Sequence, residues 1–276
     1  MDAGNIAVIA GQELRITLRS KWIQIFAVVF GLLTIAVSYF GMVTSIVVGF
    51  EGFTRTTASL LNLVLYLVPM LALAAATLSF SGDKGAAELL FSQPVLRSEV
   101  LLGKILGLFI SLASAIVFGF GVSGFVIAVQ SGFDGVTRYL GFIALTLLLL
   151  LTFLCLGAFA SIISDGRVHA FGVVLGMWFV FVLFYDLITM GIACLVNPHT
   201  ANTIILLSLF GNPVDLARVG GLLIVGGPTI FGAGGAALLK MFGSAALTIV
   251  ILSLAALFWS TLILAATGRA LVRREI

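Results

Sequence analysis

The sequence predicts an all-α integral membrane protein with six transmembrane helices. Three observations carry that fold class. Of the 276 residues, 61% are hydrophobic and 9% are charged, with a mean hydropathy of +1.27, whereas soluble domains carry roughly 25% charged residues. The hydrophobic surplus comes in blocks rather than in alternation, and charge-free runs of about 25 residues suit helices across a hydrocarbon core that needs about 20, not the strands of a barrel. The formal net charge of +3 is small and scattered, which excludes nucleic acid as a partner and makes its distribution between loops more informative than its sum.

The chain is expected to form a single transmembrane domain over 1–276. Ahead of the first span, Ile6, Ile9, Ala10, Leu14 and Leu18 fall on one side of a helix while Gln12, Arg15 and Arg19 fall on another, the pattern of a helix lying in the membrane interface. The spans are placed at about 22–50, 56–80, 105–130, 139–163, 168–196 and 244–268. The first is too long for the apolar region of a signal peptide and lacks a small-residue cleavage site, so it is expected to remain in the protein. An even number of spans puts both termini on one side. That side would carry Arg15, Arg19, Lys21, Lys84, Arg97, Lys104, Arg167, Arg269, Arg273 and Arg274, against Arg55, Arg138, Arg218 and Lys240 opposite, and the basic excess places it in the cytoplasm.

Two polar interruptions stand out. The loop 81–104 holds six of the 25 charges. Within it Ala86, Leu89 and Leu90 share a helical face while Glu88 and Ser92 point elsewhere, which predicts a short amphipathic helix stopped at Pro94. The segment 197–243 is the sizeable piece on the outer side. Gly220-Gly221, Gly226-Gly227-Pro228 and Gly234-Gly235 read as turns, and the apolar run 203–210 is too short to cross a bilayer, so the segment is expected to fold back on the outer surface. Asn212 followed by Pro213 reads as a helix start, with Asp215 placed to pair with Arg218 three residues on. That helix is either a surface element with a local ion pair or a docking surface for an outer partner.

The chemistry available is sparse. No Gly-x-x-x-x-Gly-Lys-Ser/Thr sequence occurs, so ATP-driven work would need another subunit. Cys155 and Cys194 lack zinc-ligand spacing and are not expected to form a disulfide. Asp186 is an acid well inside the fifth span, 17 residues beyond His169 and hence about 25 Å along the helix. It is either a packed, hydrogen-bonded carboxylate or one that handles substrate or protons. Met190 and Cys194 follow Asp186 at four-residue spacing, with His199 just beyond. These soft ligands could hold copper, but one helix supplies too few, and apolar packing is the reading taken, so no metal site is expected. Gly172 and Gly176 in the fifth span, like Gly103 and Gly107 in the third, form Gly-x-x-x-Gly pairs suited to close helix contact within the chain or with a second copy of it.

The interfacial first helix, the six spans, Glu88-Leu-Leu-Phe-Ser-Gln-Pro94-Val-Leu-Arg97 running into Leu101-Leu-Gly103-Lys104, and the basic Arg273-Arg274 tail together resemble an ABC-2 type permease over the whole chain. The resemblance implies a type V ABC exporter-like fold in a bacterial inner membrane. It also implies that loop 81–104 carries a coupling helix seated in a separate cytoplasmic ATPase, with Glu88, Leu89, Leu90, Phe91, Pro94 and Arg97 at the contact. Two permeases would pair with two ATPases, and ATP and magnesium would be bound by the ATPase and no cofactor by this chain, which would not itself be an enzyme. Trp178-Phe-Val-Phe-Val-Leu-Phe-Tyr-Asp186-Leu and Asn212-Pro213-Val-Asp215-Leu-Ala-Arg218 further resemble the membrane subunits of nitrous-oxide reductase maturation transporters. That likeness implies a periplasmic copper-processing partner and partner-facing or structural roles for Asp186, Asn212, Asp215 and Arg218. A general ABC-2 exporter of a lipid, peptide or drug is the alternative, and a membrane-embedded enzyme a remote one.

Overall fold

The computed structural model describes residues 2–48, 52–81, 96–131, 135–226 and 242–273. Every regular element among them is helical. In chain order these are α1 (Ala3–Arg19), α2 (Lys21–Val48), α3 (Gly52–Phe80), α4 (Arg97–Ser131), α5 (Val136–Ile163), α6 (Arg167–Phe179), a π turn (Val180–Phe184), α7 (Tyr185–Cys194), α8 (Pro198–Gly211), α9 (Pro213–Gly226) and α10 (Ala245–Arg273). Among the described residues six helical stretches are long and apolar enough to cross a membrane: α2, α3, α4, α5, the α6–π–α7 run and α10. A further bent pair, Thr203–Gly211 and Pro213–Val225, meets at 107° and forms a broken span or a re-entrant loop. The end of the bundle that carries α1, the start of α4 and the end of α10 is called proximal below, and the end that carries the α8–α9 bend distal.

The first two helices are separated by one residue. Asp2 caps α1, its Oδ1 accepting from the Gly4 N–H at 2.9 Å, and Ser20 then adopts an extended conformation that ends α1 and lets α2 leave in a new direction. Helix α5 is the centre of the bundle: 67% of its apolar stretch is buried, against 11% for the α6–π–α7 run. Helix α3 lies against α5, α10 packs on its other side, and α4 joins it to α2. Phe30, Phe120 and Phe142 stack edge to face from α2 through α4 to α5, with centroids 5.4 and 5.5 Å apart, and Tyr139 donates its hydroxyl to Phe120 O at 2.8 Å.

Lipid supplies no hydrophobic drive between helices, so small residues and hydroxyls make the contacts specific. Ser38 of α2 bonds Ser123 of α4, and Thr152 of α5 bonds Ser260 of α10 at 2.8 Å. Gly157 brings α5 onto α3. Gly103 and Gly107 bring α4 against α1, where a Cβ on Gly107 would fall 2.6 Å from Ala10 O.

Two expectations are corrected and a third is narrowed to one of its alternatives. Helix α9 is not a surface helix: Val214, Leu216 and Asn212 are fully buried, and it packs among α3, α5 and α10. Gly220 and Gly221 are not a turn but lie within α9, where their missing side chains leave room for Leu145 of α5 and Leu61 of α3. The pair Gly172 and Gly176 lies on an open face, where a Cβ at either would meet nothing within 4 Å among the described residues; α6 turns that face outward because α3 and α5 cover its other side.

The close approach at Gly157 yields a measurable expectation. A Cβ there would lie 2.8 Å from Ala76 Cβ and 3.0 Å from Leu73 O, and the latter is backbone that cannot swing away. Gly157→Leu should lower the unfolding free energy in detergent by about 2 kcal/mol. Gly121→Leu, facing open space, should leave the unfolding midpoint unchanged.

Candidate functional site

The residues that the sequence singles out in the fifth span and the following segment converge at the distal end. The convergence begins with a defect in a helix. At the π turn, the Tyr185 N–H donates to Val180 O, five residues back, so Phe181 O lacks the donor an α-helix would give it. Such a carbonyl is costly in a membrane unless another group meets it. Asn212 Nδ2 does so at 2.9 Å.

Asn212 serves three groups because it stands between α8 and α9. Its Oδ1 accepts from the Val214 N–H at 3.0 Å, which caps α9, and its Nδ2 also donates to Asp215 Oδ2 at 3.1 Å. Pro213 occupies the first helical position, where an N–H would have no partner. The carbonyls left at the end of α8 are met from two other helices: Tyr185 donates its hydroxyl to Ser208 O at 2.8 Å, and Trp259 of α10 donates Nε1 to Phe210 O at 2.9 Å.

Arg218, one turn into α9, then links the two acids. Its Nη1 hydrogen-bonds Asp186 Oδ2 and lies 3.0 Å from Asp215 Oδ1. The Asp215 contact is electrostatic only, because the N–H does not point at Oδ1, which accepts no hydrogen bond. The side chains are exposed to 44% at Asp186, 29% at Arg218 and 12% at Asp215. Two carboxylates therefore share one guanidinium, with Asp215 on the protein side and Asp186 on the open side. Chemically the arrangement is an interhelical clasp between α7 and α9.

The other sequence candidates do not join this cluster. Met190 is 70% exposed, Cys194 is exposed, and the His199 side chain lies outside the described residues. Among the described residues no three His, Cys, Asp or Glu side chains come together as a metal site would need. Glu88, Leu89, Leu90, Phe91 and Pro94 lie outside the described residues. Arg97, at the start of α4, donates Nη1 to Leu271 O at 2.8 Å near the end of α10. Sequence reasoning missed Tyr185 and Trp259. Their signal was an aromatic ring with a polar tip inside an apolar run, which must find an acceptor when dry.

A helical bundle with six stretches long and apolar enough to cross a membrane is the build of a multi-pass membrane protein. The chain belongs to the ABC-2 family transporter proteins, whose sequence profile matches residues 7–260. It is 34% identical over 217 residues to the probable ABC transporter permease protein NosY of Pseudomonas aeruginosa, covering 76% of this chain and 79% of that protein. It is 33% identical over 225 residues to the NosY protein of Stutzerimonas stutzeri, with the same coverage.

Removing the guanidinium should cost more than removing either acid, since it leaves two facing carboxylates. Arg218→Met should destabilise the detergent-solubilised protein by about 2 kcal/mol, discounted from the value for a fully buried pair because the side chain is partly exposed. Asp186→Asn should cost less than Asp215→Asn, in line with their exposure. Thermal unfolding of the three variants orders them.

Proposed function

We propose that this chain is the permease subunit of an ATP-driven complex in a bacterial inner membrane, with both termini in the cytoplasm. It couples hydrolysis by a separate ATPase to a conformational change that serves maturation of the copper centres of nitrous-oxide reductase. The observation that carries this reading is the match to two NosY permeases along three quarters of the chain, together with a family match over residues 7–260. The ten-to-four division of Lys and Arg supports the orientation, with the proximal end cytoplasmic.

In this mechanism Leu89, Leu90 and Phe91 form an apolar knob, with Glu88 and Arg97 around it, Pro94 ending the helix, and the ATPase groove burying it. ATP and magnesium bind the ATPase. Closure of two ATPases displaces the segment between α3 and α4, and those helices carry the displacement as rigid bodies. Its far end is the clasp of Asp186, Arg218, Asp215 and Asn212, where the exposed Asp186 on α7 faces a periplasmic copper-processing partner and the buried Asp215 and Asn212 hold the clasp from the protein side. A second copy of the chain packs on the outward face of α6, where a Cβ on Gly172 or Gly176 would meet nothing within 4 Å among the described residues and only 11% of the fifth span is buried.

Glu88→Lys or Leu89→Lys should release or uncouple the ATPase while membrane insertion is retained, as read by co-purification and ATP turnover. An ATPase that stays bound with unchanged turnover overturns the coupling role. Gly172→Cys should give a disulfide-linked dimer on oxidation, and persistent monomer counts against pairing through α6. ATP-dependent movement of a lipid, peptide or drug in reconstituted vesicles would replace the maturation reading with that of a general exporter.

A further inference from the structure

The proximal end contains a charge pair that the mechanism above does not use. Glu13 lies on the face of α1 that meets the bundle and is 9% exposed. Its Oε1 accepts from Ser79 Oγ at 2.7 Å, and its Oε2 lies 3.8 Å from Lys104 Nζ. Lys104 Nζ in turn donates to Ser79 O at 2.8 Å and stands 5.2 Å from the centroid of Phe80. Ser79 and Phe80 are the last residues of α3, and Lys104 is two turns into α4. One carboxylate and one ammonium thus join α1 to both feet of the segment 82–95.

A second contact holds the same helix at its start. Glu99, in the first turn of α4, accepts from the Asp2 N–H at 2.6 Å, from Asn5 Nδ2 at 3.1 Å and from the Leu96 N–H at 3.4 Å. Between the two contacts Gly103 and Gly107 let the α1 backbone lie directly on α4. Apolar residues would bury the same area at no desolvation cost, so what the charges add is direction: Glu13 has partners on both α3 and α4 and cannot slide along either. Helix α1 is followed after a single residue by α2, and Gln24 Nε2 donates back to Leu18 O at 3.1 Å.

We infer that Glu13 and Lys104 are positioning residues that fix α1 to both feet of segment 82–95, so that the body moved by that segment includes α1 and, through it, α2. The inference rests on the coupling role proposed for that segment and adds to it a route into the first span.

The test uses the whole complex with its ATPase in lipid nanodiscs, with a polarity-sensitive fluorophore on the exposed native Cys194, Cys155 being buried. Under the inference, ATP shifts the emission of the otherwise unaltered protein. Glu13→Gln and Lys104→Gln reduce the amplitude of that shift about five-fold while the ATPase remains bound. The exchange Glu13→Lys with Lys104→Glu restores it. Ser79→Ala, which removes only a hydroxyl, gives an intermediate loss and serves if a charge variant fails to fold. An unchanged shift in Glu13→Gln and Lys104→Gln overturns the inference, and so does a loss that the charge exchange fails to restore, since that marks a structural role alone. No ATP-dependent shift in the unaltered complex overturns the coupling reading itself.

Discussion

A backbone carbonyl that loses its helical donor inside a membrane has no water to turn to, and the distal half of this protein is organised by that constraint. The helices there are broken at the π turn of Val180–Phe184 and at Asn212, and α3 contains Pro69, which has no N–H to offer Leu65 O. The carbonyls at the π turn and at the Asn212 bend are met by side chains from other elements. Asn212 takes Phe181 O, Tyr185 takes Ser208 O, Trp259 takes Phe210 O, and Trp178 donates to Tyr66 O at 3.1 Å in the turn that contains Pro69. The breaks and their partners form one contiguous region, so the bend between α8 and α9 and the π turn in the fifth span are held in a single relative position.

The two ends of the bundle are therefore held by different means. Distally, neutral caps fix the backbone and the Asp186, Arg218 and Asp215 cluster adds a clasp between α7 and α9. Proximally, α1 lies flat against α4 over two glycines and is secured by carboxylates at Glu13 and Glu99. Between them α5 is the most deeply buried of the six long apolar stretches, and it touches α3, α4, α9 and α10. These contacts link the helices of the two ends.

Much of the helical plan was legible because lipid imposes a length on apolar runs. The start of α9 was legible too, since Asn followed by Pro satisfies local rules whatever surrounds it. Other features resisted. Gly220 and Gly221 read as a turn because local preference disfavours glycine in helices, yet α9 needs them to fit between Leu145 and Leu61. Glu13 falls on the stripe formed by Ile6, Ile9 and Ala10, and a lone acid on an apolar stripe was the available signal, but its partners lie 66 and 91 residues away.

By itself the sequence determined a membrane-spanning helical chain, its number of long apolar runs and the local pairing spacing of Asp215 with Arg218, because hydrophobic length and helical period act within a single segment. Only the tertiary structure decided which Gly-x-x-x-Gly pair is occupied within the chain, that α9 is buried, and that Asp186 shares its guanidinium with Asp215. Those outcomes depend on which surfaces meet across the bundle. In lipid, where every face of a spanning helix is apolar, the pattern along one segment does not specify its neighbour.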